Sequence, residues 1–485
     1  MNPISFQFFI FSIGGLLLFH LKQSGPWRRA ILQFLSIVFL ASQAPGDLLH
    51  DWHAWVSLTP LLGFAVLGYA GLRLVRGEWW HLAAVATVLI VIFGYFKRYL
   101  LFNCIPFPAS AVTMIGLSYV LFRILQITID YAQGAMESMP SSNAFFGHLF
   151  AFYTFLSGPV WRFQDHQEQL THLDTFRLRL DDAYTGFSRL INGALKLNLI
   201  SRILEAAHIS GSSQLLEAAY LNPHRFSFLY ARTCFEFLLY IYFNFSGYMD
   251  LMIGLGQLFG LRLPENFNHP FASSNFLDLW NRWHITLSEF FKFYLFNPLV
   301  AHLTRRIGGK GRAPYLGALG YFATFFVMGL WHGSTLPFVI YGLLLGFGAS
   351  VNKLWETLMT RQLGKTNALR IRAMQWYQIS ARSVTLVYFA MAFTLWLPID
   401  LDAFASLVSL KSICATFLVG FVSVCLIQLL WLLVRSLSQP IMDWLTPLRS
   451  HPAWLEFHLG LRSLIVVWSV IIFSGSAPKF AYQVF

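Results

Sequence analysis

The sequence predicts an all-α polytopic membrane protein with about eleven to thirteen transmembrane or re-entrant helices. Two observations carry that prediction. Of the 485 residues, 56% are hydrophobic and only 12% are charged, about half the charged share of ordinary soluble domains. The apolar residues are also gathered into runs that approach the ~20 residues needed to cross a bilayer core. Helices are the expected form, because in lipid they satisfy their backbone internally without closing a barrel.

Taken in order, the first run is 4–21. No Lys or Arg precedes it and no small-residue cleavage site follows, so it reads as a retained helix rather than a signal peptide. Runs at 56–75, 81–96, 109–129 and 144–159 follow, with 29–42 as a further candidate. The longest polar insert, 161–182, alternates Trp161, Phe163, Leu170, Leu173, Phe176, Leu178 and Leu180 with charges, as a segment lying at the membrane interface does. A weaker run at 186–206 precedes 226–243, then 316–332 and 336–351 as a hairpin, then 383–398, 412–435 and 461–475. No repeat or linker divides the chain. It reads as one membrane domain over 1–485, with its motif-bearing core at 186–351.

The net charge of +12 is explained by the positive-inside rule, so nucleic acid is not an expected partner. Arg282, Lys292, Arg305, Arg306, Lys310 and Arg312 form one basic stretch, and Lys353, Arg361, Lys365, Arg370, Arg372 and Arg382 another. Both are expected to face the cytoplasm, as is the first loop with Lys22, Arg28 and Arg29. Lys97 and Arg98 fit this alternation poorly, and either snorkel or line a polar cavity. Cys104, Cys234, Cys414 and Cys425 are scattered without a C-x-x-C, and His50 and His53 lack further ligands. Neither a disulfide framework nor a metal site is expected.

Residues 276–295 read as a surface or re-entrant helix. Trp280, Trp283, Leu287, Phe291 and Tyr294 recur at helical spacing to make an apolar face, with Arg282, Thr286 and Glu289 opposite. Asp278 and Arg282 stand four apart in the favourable order for a helical ion pair. The preceding LRLPENFNHPF is loop chemistry. A loop and half-buried helix inside a membrane protein must line a cavity or be covered by protein.

His284 and His332 each follow a tryptophan in or beside apolar sequence. An ionisable group at membrane depth marks a functional site by default. Histidine is also the natural general base near neutral pH. The bland alternatives are a packing histidine at a helix end for His332 and an interfacial one bonded to the loop for His284. For Glu265, Asn266 and Asn268 the simpler reading is loop capping.

The run 244–299 closely resembles the bacterial branch of the membrane-bound O-acyltransferase family. Tyr242–Asp250, Leu258–Pro270, Trp280–Ser288 and the GLWHG at 329–333 match its motifs in order. Fainter matches are GYFK at 94–97, GLSYVLF at 116–122, SGPVWRF at 157–163, the pattern from Gly186 to Lys196, and the terminal FAYQVF. Asn244, Asn281 and Phe293 depart from the family's usual Asp, Arg and Asp.

The resemblance implies an O-acyltransferase of the bacterial cytoplasmic (inner) membrane. His332 would be its catalytic base and His284 a second functional histidine supporting a tunnel. The implied co-substrate is acetyl-CoA or another acyl thioester, with no tightly bound cofactor. The implied acceptor is a hydroxyl of a cell-surface or exported polysaccharide, reached directly or through an extracytoplasmic acyltransferase. D-alanyl transfer from a carrier protein to a cell-envelope polymer is the alternative within the family. A transporter relaying protons through intramembrane histidines, or a scaffold without acyltransferase activity, is the alternative outside it. The sequence further suggests separation: His284 lies beside the cytoplasmic cations, and His332 a membrane pass beyond Arg312.

Overall fold

The computed structural model describes residues 5–44, 56–75, 79–99, 102, 104–105, 116–221, 223–309, 311–333, 335–396, 409–449 and 452–472. His50, His53, Lys310, residues 109–115, the ends of the runs at 397–398 and 473–475, and the tail 480–485 lie outside the described residues.

The chain is helical almost throughout. It begins with α1 (Phe6–His20), α2 (Gly25–Ala41), α3 (Thr59–Leu74), α4 (Trp79–Phe96), α5 (Leu117–Ala132) and α6 (Ser142–Leu149). Next come α7 (Phe163–His172), α8 (Leu180–Leu195), α9 (Ser201–Leu221) and α10 (Pro223–Leu258), with a π-turn at Lys196–Ile200 joining α8 to α9. Two short helices, α11 (Phe276–Trp280) and α12 (Ile285–Phe291), lead through a π-turn at Lys292–Phe296 to α13 (Asn297–Ile307). The chain continues with α14 (Ala313–His332), α15 (Leu336–Ala373), α16 (Gln375–Phe393), α17 (Leu410–Arg449) and α18 (Pro452–Ile472).

Local chemistry sets several of these boundaries. Ser5, Ser141 and Asn275 cap α1, α6 and α11 by accepting backbone N–H bonds, and prolines occupy the first turns of α2, α3, α13, α14 and α15. Proline is favoured there because its missing N–H has no helical partner to lose. Within α15, Gly364 at φ 75° breaks the helical path.

Among the described residues, α4, α14, α15, α16 and α17 are each long and apolar enough to cross a membrane, and α1 and α3 are shorter apolar helices. Large apolar side chains stand exposed on these helices, such as Leu418, Leu430 and Trp431 on α17. The protein is therefore a multi-pass membrane protein, as its composition required.

One expected span is absent. Of the run 144–159, only α6 is helical, and the chain from Ala151 to Val160 turns back on itself. This segment is buried: Phe152, Tyr153, Phe155 and Leu156 are at most 3% exposed. Side chains from elsewhere hold it: the Arg123 guanidinium on α5 donates to the carbonyls of His148 (3.1 Å) and Leu149 (2.6 Å) at the end of α6 and of Thr154 (2.5 Å) in the turn, and Ser36 Oγ and Thr286 Oγ1 accept from the Phe152 and Val160 N–H groups. Non-helical backbone at membrane depth is tolerated when protein covers it in this way. In the polar insert that follows, Trp161, Phe163 and Leu173 are buried in protein, whereas Leu178 and Leu180 stay exposed.

Candidate active site

The functional region is a re-entrant element. After α10 ends at Leu258, the chain runs to α11 as a loop interrupted by one 3-10 turn at Pro270–Ala272. Arg382 on α16 holds it there by donating to the carbonyls of Ala272 and Ser273, both at 3.2 Å. It then climbs: the Trp283 ring packs on Phe389 and Phe393 at 5.2 and 5.6 Å, seven and eleven residues further along α16. The His284 ring meets Phe245 edge-on at 4.8 Å. Phe245 lies thirteen residues before the end of α10, about 20 Å at the helical rise. The chain returns through α12 and α13.

His284 is the apex, and its backbone shows it. With φ 45° and ψ 53° it is in the left-handed conformation, uncommon outside glycine and seen in functional sites where surroundings over-determine it. This break divides the expected 276–295 helix into α11 and α12. The flanking strands of chain are pinned by a single β-bridge between Phe267 and Trp283 and by Asn266. The Asn266 carbonyl accepts from Ile285 N–H (3.0 Å). Its side-chain oxygen accepts from Thr286 N–H (3.1 Å) and Thr286 Oγ1 (2.7 Å). Thr286 Oγ1 in turn accepts from Val160 N–H at 2.9 Å. Thr286 is therefore buried rather than on a solvent face, because the break rotates it towards Asn266. The expected apolar residues Trp280, Trp283, Leu287 and Phe291 remain buried despite the break.

His332 closes α14 and is 6% exposed, and His284 is 1% exposed. The His332 ring lies 4.7 Å from Trp331, 4.5 Å from Trp396 and 5.9 Å from Tyr341. Phe393 packs on both Trp396 (5.0 Å) and Tyr341 (5.4 Å), and it is the same Phe393 that touches Trp283. On the other side Trp331 stacks on Phe122 at 4.9 Å, and Phe122 packs on Phe290 of α12 at 4.4 Å. Small residues let the walls close: a methyl group at Gly329 would collide with the backbone of Gly342 on α15. His284 and Lys97 both come within electrostatic range of the His332 imidazole. The separation expected from the sequence is thus not what the fold builds, because the re-entrant element carries His284 up to the His332 level.

At the base of the element the chemistry changes to ion pairs. Arg189 on α8 bridges Glu265, with one contact at 2.8 Å, and Asp250 at 3.1 Å. Lys196 reaches Asp250 at 2.6 Å. Asp278 pairs with Arg282 at 2.9 Å, as the spacing predicted. Asn266 is fully buried among these loop bonds and Glu265 is an ion-pair partner, so both hold the loop, as the capping reading anticipated. The two basic stretches touch each other where Arg361 donates to the Gly311 carbonyl, beside Arg312, at 3.4 Å and to Tyr315 Oη at 2.9 Å. Of the three departures from the motifs, Asn281 and Phe293 are exposed. Asn244 is buried and donates to Ser201 Oγ at 3.2 Å.

Sequence reasoning named both histidines and Trp331, but not Tyr341, Trp396 or Phe245, which lie in apolar runs whose composition marks no single aromatic. It marked Lys97 and Arg98 as fitting the charge alternation poorly, with snorkelling and a polar cavity as the two readings. Glu236, an acid within the apolar run 226–243, is bound by Arg232 one turn away at 2.6 Å.

The chain matches the membrane-bound O-acyltransferase family over residues 74–391. It is 30% identical to the teichoic acid D-alanyltransferase of Bacillus subtilis over 71% of this chain and 86% of that protein. It is 27% identical to the probable alginate O-acetylase of Pseudomonas aeruginosa over 66% of this chain, and spans 63% of that relative's length. Against the peptidoglycan O-acetyltransferase of Helicobacter pylori it is 40% identical over 26% of this chain and 22% of that one. The chain belongs to the membrane-bound O-acyltransferase family, as a multi-pass membrane O-acyltransferase.

Proposed function

We propose that this enzyme moves an acetyl group from cytosolic acetyl-CoA across the bacterial cytoplasmic membrane to a hydroxyl of a cell-surface or exported polysaccharide, directly or through an extracytoplasmic acyltransferase. The observation that carries the reading is the re-entrant apex. It brings a histidine from the ion-paired end of the protein alongside the histidine at the far end of α14, inside aromatic walls. With the basic stretches on the cytoplasmic side, the ion-paired end is the donor's entrance.

In this reading His332 is the general base and His284 the second catalytic histidine. The acceptor hydroxyl gives its proton to a neutral His332 imidazole nitrogen as its oxygen attacks the thioester carbonyl. A C–O bond forms and the carbonyl electron pair moves onto oxygen. The tetrahedral intermediate then collapses, the C–S bond breaks, and the departing thiolate takes the proton from His332. His284 contacts the same acyl group from the donor side. The aromatic walls exclude water, which would otherwise hydrolyse the thioester.

A second reading is favoured by coverage: the chain spans more of the D-alanyltransferase relative than of the alginate one. Here the donor is a D-alanyl thioester on a carrier protein and the acceptor a cell-envelope polymer. Both readings are tested by mass spectrometry of base-released esters from surface polymers, comparing wild type, a deletion strain and His332→Ala at matched membrane abundance. Loss of acetate supports the first reading and loss of D-alanine the second. General-base help is worth ~10²–10⁴ in rate, so His332→Ala should abolish detectable ester. Near-normal ester would sink the base assignment.

A further inference from the structure

We infer that Lys97 is a further catalytic residue, its ammonium placed to stabilise the oxyanion that forms when the acyl carbonyl beside His332 is attacked. This rests on the proposed reaction. The turn after α4 is fastened to the last turn of α14: Tyr99 Oη donates to the Leu330 carbonyl at 2.5 Å, two residues from each of Lys97 and His332. The turn itself is tight. Arg98 adopts φ 55°, the Lys97 N–H is held by Phe93 O at 2.9 Å, and Tyr99 N–H by Gly94 O at 3.0 Å. Lys97 is half-buried here and lies within electrostatic range of the His332 ring. Among the described residues no ion pair involves Lys97. The aromatic walls named above contribute no carboxylate either. A cation held beside this aromatic wall is costly, and the oxyanion formed in the reaction gives it a negative charge to face.

As the acceptor oxygen bonds to the carbonyl carbon, the π pair moves onto the carbonyl oxygen while its proton passes to His332. Negative charge then forms between the new imidazolium and the Lys97 ammonium, and is lost when the thiolate leaves. Lys97 neither gains nor loses a proton in the cycle. Preorganised charge of this kind acts on the transition state rather than on ground-state binding. It also gives the GYFK segment, isolated in the sequence, a role at the site.

The test uses membrane vesicles holding the full-length enzyme, with radiolabelled acetyl-CoA as the probe and incorporation into polymer as the readout. Lys97→Met should lower the maximal rate about 100-fold, the scale of one oxyanion donor, while half-saturation by acetyl-CoA shifts less than about twofold. Lys97→Arg should keep at least about a tenth of the wild-type rate. If Lys97→Met is lost from the membrane, Lys97→Cys in a chain without Cys104, Cys234, Cys414 and Cys425 replaces it. Alkylation with bromoethylamine rebuilds an ammonium there, and should restore the rate. A normal rate in Lys97→Met, equal losses in the Met and Arg variants, or no restoration on alkylation would each overturn the inference. His332→Ala is run in parallel: activity in that variant contradicts the reaction itself, whereas a dead His332→Ala beside a normal Lys97→Met contradicts only the role of Lys97. If wild-type vesicles incorporate no label, the donor is wrong, and surface-ester content of cells carrying the same variants decides the role of Lys97.

Discussion

The base and the apex of the re-entrant element are held by opposite kinds of chemistry. At the base, Glu265, Arg189 and Lys196 are partly solvated and pair with one another or with the buried Asp250. At the apex, Trp283 and the walls of Trp331, Tyr341, Phe393 and Trp396 are almost completely buried, and His284 and His332 stand among them. Partly exposed ion pairs are cheap to build and individually weak. Buried aromatics each remove a large surface from water or lipid and add directional ring contacts. The difference teaches which end fixes the position of the histidines. The apex should tolerate little change, and the base should tolerate a good deal.

That contrast can be broken first at Trp283, whose ring contacts Tyr242, Phe267, Phe271, Phe389 and Phe393. Trp283→Ala should cost ~3–5 kcal/mol, as large-to-small changes in packed cores do. Thermal unfolding of the purified protein in detergent would show it as a large fall in midpoint, together with loss of transfer. An unchanged midpoint would mean that the aromatic apex does not organise the element.

A smaller effect is expected one layer down. Asn266→Ala removes the acceptor of both Thr286 groups, leaving buried donors unsatisfied at ~1–3 kcal/mol each. The midpoint should fall less than for Trp283→Ala, and activity should fall further than stability alone would explain, because Asn266 sets the backbone on both sides of His284. Activity that simply tracks folded protein would contradict that link. Smallest of all is the base: Glu265→Gln disturbs a pair whose carboxylate is half-exposed, so the loss should stay within ~1 kcal/mol. A loss matching that of Trp283→Ala would invert the comparison.

The legibility of the sequence follows the same division. Membrane class, the α14–α15 hairpin and the Asp278–Arg282 pair were readable, because composition, hydropathy and one-turn spacing are local signals. The broken helix was not. Apolar periodicity continues through Trp283, Leu287 and Phe291, and nothing in the residue type of His284 announces a left-handed backbone. The lost span at 144–159 was hidden for a related reason: its apolar residues do bury, but its carbonyls are satisfied by Arg123 from α5, a partner more than twenty residues away. The depth to which His284 is carried was equally out of reach, since the depth of a re-entrant segment depends on long-range packing against α10 and α16.

The central claim is that the two histidines form one catalytic centre. Its most direct test is the transfer kinetics of His284→Ala, His332→Ala and the double variant, each measured over a range of acyl-donor concentration. Residues acting as a unit are not additive. The account predicts that each single change lowers kcat with little change in KM for the donor, and that the double variant is no slower than His332→Ala alone. A His284→Ala variant altered only in KM, with losses that multiply in the double variant, would mean that the two histidines work at separate sites.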